Sequence, residues 1–137
     1  MPLTEADMIW NRACGDDQLR DLPGDRALAN LLRAHGLVMN GGVQHSVECL
    51  TPEQLSDAEA GYRYYGFDRV ASLLSRARRI DSAGYHIEHL EHYEVEFDKE
   101  YSQLIPDDEF LADRFEERLK SNPSDFAPLR AKDMVKG

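Results

Sequence analysis

A chain of 137 residues fits one domain and is long enough to bury a core without disulfide or metal staples. With 42% hydrophobic and 31% charged residues it reads as a folded globule, and its formal net charge of −10 argues against direct nucleic-acid binding, because phosphates require a basic surface. No window approaches the ~18 apolar residues of a membrane span, and residues 1–7 carry no basic stretch leading into an apolar run. Cys14 and Cys49 form neither a CxxC pair nor a disulfide framework. The expectation is a single all-α domain over residues 1–137, cytoplasmic and away from membranes, with both cysteines as buried thiols in a reducing compartment.

Thr4 followed by Asp7 resembles an N-terminal cap, and Ala6, Ile9, Trp10, Ala13 and Cys14 recur at helical spacing until Gly15, which predicts a helix over about 5–14. After Asp16-Asp17 and a break at Pro23-Gly24, the apolar positions Leu28, Leu31, Leu32, Val38 and Met39 mark a second helix ending at Asn40-Gly41-Gly42. A short helical turn follows over Val43 to Leu50. Thr51-Pro52-Glu53-Gln54 combines a capping residue, proline at the first helical position and glutamine three residues after the cap, which is the chemistry of a helix start. Leu55, Ala58, Tyr62 and Tyr65 form its buried stripe, Gly66 breaks it, and Val70, Leu73, Leu74 and Ala77 give the next helix. Asp81 to Gly84 reads as a loop. A long helix from about Tyr85 to Leu104 shows a seam of Ile87, Leu90, Phe97, Tyr101 and Leu104. Pro106-Asp107-Asp108 opens a last helix with Leu111, Phe115 and Leu119, which stops at Asn122-Pro123-Ser124-Asp125. No segment alternates like a strand, so the prediction is a compact bundle of about six helices.

The charge is unevenly placed. Between Glu88 and Glu117 stand twelve acidic residues against Lys99 and Arg114, so this window carries the whole −10 and the rest of the chain is neutral. Such asymmetry points to an electrostatic partner. Carboxylates three or four residues apart on a helix lie about 5–6 Å apart at their Cβ atoms, near the spacing of phosphates along a strand. On the long helix Glu88 and Glu96 point most directly outward, with Glu91, Asp98 and Glu100 on its flanks. Asp107, Asp108, Asp113, Glu116 and Glu117 extend the field. The competing reading is a solvated face, with Asp107 to Glu109 favoured by the positive end of a helix.

Catalytic signatures are missing: there is no phosphate-cradling glycine loop, no nucleophile elbow and no HExxH. His86, His89 and His92 are spaced by three, so they diverge by about 120° around a helix and do not converge on one ion. Neither metal nor cofactor is expected. His35 sits on the apolar stripe of the second helix and is read as a satisfied core residue rather than a ligand. Glu94, among the seam residues, is expected to pair with an arginine from another helix. Tyr62, Tyr64 and Tyr65 are read as core. Asn40-Gly41-Gly42 is read as a tight corner, against a partner or ligand loop; a small-ligand-binding domain or enzyme with a pocket near His35 and Asn40 is an alternative to a binding module.

Two segments carry a family resemblance. Asn40-Gly41-Gly42-Val43-Gln44-His45-Ser46-Val47-Glu48 and Glu59-Ala60-Gly61-Tyr62-Arg63-Tyr64-Tyr65-Gly66-Phe67 resemble the bacterial DNA-mimic-protein domain family. Phe97-Asp98-Lys99-Glu100-Tyr101 and Asn122-Pro123-Ser124-Asp125-Phe126 extend the likeness to about residues 28–129. The commoner form has an aromatic or leucine at the Val43 position and glutamine followed by aromatics where His45-Ser46-Val47 stand. The resemblance implies an all-helical fold and an acidic surface that imitates DNA and occupies a basic or DNA-binding protein, such as a transcription regulator. It implies no catalytic residues. An immunity protein against a toxin is the alternative within the same chemistry, and a homodimer is one assembly open to such a module.

Overall fold

The computed structural model describes residues 3–15, 18–84 and 87–134; the side chains of Ile87 and Glu88 lie outside that description, as do Tyr85 and His86. The described residues form seven α-helices and no strand: α1 Glu5–Cys14, α2 Pro23–Gly41, α3 Val43–Cys49, α4 Pro52–Tyr64, α5 Asp68–Ala83, α6 Ile87–Leu104 and α7 Asp108–Ser121. Short 3₁₀ turns follow at Pro123–Asp125 and Ala131–Asp133. The short turn after the second helix is a helix in its own right, which accounts for seven where about six were expected.

Local chemistry sets the boundaries. At α1 the Thr4 hydroxyl accepts from the Asp7 N–H at 3.1 Å while the Asp7 carboxylate accepts from the Thr4 N–H at 3.0 Å. At α4 Thr51 and Gln54 make the same reciprocal pair at 3.1 and 3.0 Å. Thr51→Ala is expected to cost about 1 kcal/mol, seen as a fall in melting temperature of about 4 °C. Pro23-Gly24, expected as a break, is instead the first turn of α2. Proline at the first position forfeits only an N–H that the helix leaves unbonded. Gly24 has no side chain where the Phe126 ring packs: a Cβ there would lie 2.5 Å from it.

The core gathers around α2, which packs against α1, α3 and α4. α4 approaches α2 closely at Gly61, where a Cβ would sit 2.6 Å from the Ala27 carbonyl oxygen. Phe115 of α7 is 2% exposed and meets Trp10, Tyr65 and Phe126 at ring distances of 5.7, 6.4 and 5.7 Å. On α6, Phe97 and Tyr101 are buried and Leu90 and Leu104 half-buried. Asp81 to Gly84 is not a loop: α5 runs through Ala83, and Gly84 closes it in the left-handed conformation at φ 67° and ψ 41°.

A buried ion cluster ties the chain's two ends to α2. The Arg12 guanidinium donates to Asp25 at 2.8 Å and Asp133 at 3.2 Å, and to the carbonyls of Ala127 and Pro128 at 3.1 and 3.3 Å. Asp25 also accepts the Ala127 N–H at 2.7 Å. Hydrogen bonds from the Arg130 side chain, then from Arg12, hold the Asp133 carboxyl well below the usual carboxylate range against the opposing effect of burial. Both cysteines are exposed rather than buried. Cys14 ends α1, and Cys49 sits on the outer side of α3, its Sγ 3.7 Å from the His45 ring.

Candidate functional site

The acidic window forms two consecutive helices, α6 and α7, and its carboxylates divide by what they touch. Glu91, Glu96 and Asp113 are exposed and Glu116 half-buried, and none has a hydrogen bond or ion pair among the described residues. Glu117 is exposed, 3.7 Å from the Arg114 Nε. Four others serve the fold. Glu100 pairs with Arg76 of α5, and Asp107 accepts the Phe110 N–H at 2.9 Å as the N-cap of α7. Asp108 accepts from His35, and Asp98 accepts from a backbone N–H of α3. The Glu88 side chain lies outside the described residues.

Glu94 corrects an expectation. It is exposed and has no salt bridge among the described residues, because the buried seam of α6 runs through Tyr93, Phe97 and Tyr101 and turns position 94 outward. Tyr93 stacks on Phe97 at 5.8 Å between ring centres. The interior acids that meet an arginine are instead Glu59, 3.3 Å from Arg78, and Asp25 and Asp133 of the Arg12 cluster. Glu94 and Glu109 therefore join the exposed carboxylates. Glu109 was legible as an acid in the first turn of a helix, but the sequence alone did not separate it from Asp107, which caps.

Asn40-Gly41-Gly42 makes the corner between α2 and α3. Gly42 adopts φ 98° and ψ 173°, and a Cβ there would lie 2.8 Å from an Asp98 carboxylate oxygen. Glycine thus lets Asp98 reach the Val43 N–H, at 2.8 Å. A groove of about 350 Å³ beside the corner is lined by Asn40, Asp98, Tyr101 and Ser102 among others. His35 is not part of that lining. Its Nε2 lies 2.7 Å from Asp108 and its Nδ1 2.7 Å from the Tyr101 hydroxyl, which lies 2.7 Å from the Tyr62 hydroxyl. A neutral imidazole satisfies this chain in one direction: Nε2–H donates to the carboxylate, Nδ1 accepts from Tyr101, and Tyr101 accepts from Tyr62. Burial pushes both phenols up, so they stay protonated.

Tyr62 and Tyr65 are core, and Tyr64 is half-buried with its hydroxyl donating to Asp125 at 2.6 Å. Arg114 and Arg118 of α7 donate to the Tyr65 and Tyr64 carbonyls at 3.1 and 2.6 Å, closing the last turn of α4. The second family segment is thereby the joint between α4 and α7. Among the described residues no group of three histidine, cysteine, aspartate or glutamate side chains is placed to hold a metal ion, and no helix is long and apolar enough to cross a membrane. His86 lies outside the described residues.

No curated protein and no solved structure matches the chain significantly. The sequence profile of the DMP19-like proteins does match, over residues 20–133, a longer span than the 28–129 expected, taking in all of α2 through α7 and both 3₁₀ turns but not α1. An all-helical fold agrees with that match, and the chain belongs to the DMP19-like (DNA mimic protein 19) family.

Proposed function

We propose that this protein is an acidic binding module, not an enzyme, that occupies the DNA-binding surface of a basic protein such as a transcription regulator. One observation carries the reading: the entire formal charge of −10 falls within residues 88–117, and Glu91, Glu94, Glu96, Glu109 and Asp113 there stand exposed without a partner among the described residues. A charge spread only for solubility would not leave the rest of the chain neutral. Family membership supports the same direction.

Exposed charges more than ~10 Å apart are largely screened at 0.1 M salt, so a contact built from dispersed carboxylates weakens as salt rises while an apolar contact does not. Capture from the native cytoplasm on the immobilised protein is expected to retain a basic protein at low salt and release it at high salt. Retention that is indifferent to salt would count against the reading.

A further inference from the structure

We infer that the cleft between α1 and α7 is an anchor site for one arginine or lysine side chain of the basic partner, an inference that rests on the binding reading above. The cleft encloses about 290 Å³. Its floor is aromatic: Trp10, half-buried, and Phe115, with ring centroids 5.7 Å apart and planes at 58°. Ala6 and Ala112, one from each helix, add small side chains to the lining. Asp7, Asp108, Glu109 and Glu116 stand around it, and neither lysine nor arginine is among its lining residues.

Two of these carboxylates are fixed in place. Asp7 is held by the Thr4 N–H at 3.0 Å and Asp108 by His35 at 2.7 Å, while Glu109 and Glu116 have no hydrogen bond or ion pair among the described residues and are free to close on a ligand. The N-terminal ends of α1 and α7 each contribute about half a positive charge, which four carboxylates outweigh. An anion is repelled, and a purely apolar group leaves the acidic rim unpaired. A cation on an apolar stem suits both parts, its head at the carboxylates and within cation–π reach of the indole. Trp10 and Asp7 lie in α1, outside the family-matched residues 20–133, so one wall of this cleft comes from a segment that the family match does not include.

Trp10 is the single tryptophan of the chain and reports on the cleft directly. Titration of the full chain with a capped oligo-arginine peptide is expected to change its emission saturably, and the citrulline counterpart, equal in shape but uncharged, is expected to leave it unchanged. Glu109→Gln with Glu116→Gln should weaken the arginine peptide about tenfold, and Glu53→Gln with Asp57→Asn, the same charge removed from α4, less than about twofold. No saturable change, an equal response to citrulline, or equal losses in the two variant pairs would overturn the inference. The probe is a peptide rather than the partner, so its failure is distinct from a failure to capture a basic protein.

Discussion

Arg12→Ala is expected to destabilise the protein by about 3–5 kcal/mol, because it strands the buried carboxylate of Asp25 without its cation and leaves Asp133 with Arg130 alone. The guanidinium also holds the Ala127 and Pro128 carbonyls, so the C-terminal residues should detach from α1 and α2 before the bundle unfolds. Urea unfolding gives the magnitude, and amide exchange at residues 126–133 gives the order of events. A loss under about 1 kcal/mol would mean that the cluster contributes no more than a surface pair. The same cluster has a pH signature. Asp133 titrates below its ordinary value of 3.8, so its contribution is fully present above that value and is lost as pH falls below it. Acid should therefore loosen the C-terminal residues in the native protein but not in the Arg12→Ala variant, where they are already loose.

Gly42→Ala is expected to cost about 1–3 kcal/mol for the backbone alone, since its φ of 98° and ψ of 173° belong to a region open essentially to glycine. The new methyl would also meet Asp98 at 2.8 Å and displace the acceptor of the Val43 N–H. Gly36→Ala is the contrast. That glycine lies inside α2 with nothing within 4 Å of an added Cβ, so the substitution should stabilise by roughly 0.5–1 kcal/mol. Thermal unfolding that moves both variants the same way would contradict this account of the corner. Asp98→Asn, which keeps an acceptor at the same place, should retain most of the stability that Asp98→Ala loses.

The fold was legible wherever its causes are local. Thr4 with Asp7, Thr51 with Gln54 and the aspartate at 107 announce helix starts within four residues of sequence, and the stripes of α4 and α5 repeat at helical period. Pro23 misled because proline breaks helices inside them and begins them at the first position, and the Phe126 ring that makes Gly24 useful lies far along the chain. Glu94 misled for a related reason. Placed between Leu90 and Phe97 it shares their side of an ideal helix, but α6 packs Tyr93 against Phe97 instead, about 100° away.

The candidate surface was legible as charge but not as geometry. Asp98, Glu100 and Asp108 look like their neighbours in sequence, and only the packing of α3, α5 and α2 against α6 and α7 gives each an internal partner. The Arg12 cluster had no sequence signal, because its acids stand 13 and 121 residues away. The cleft at Trp10 was likewise hidden, since its two walls come from opposite ends of the chain.

On the proposed function, this acidic surface and DNA compete for the same face of a basic protein. Fluorescence anisotropy of labelled DNA bound to the captured partner tests it most directly. Titration with the protein should release the DNA completely. Glu91→Gln, Glu96→Gln and Asp113→Asn together should raise the amount needed about tenfold, while Glu5→Gln, Glu53→Gln and Asp57→Asn, an equal charge change on α1 and α4, leave it within about twofold. A partner that holds DNA and this protein at once, in a stable ternary complex, would contradict the account.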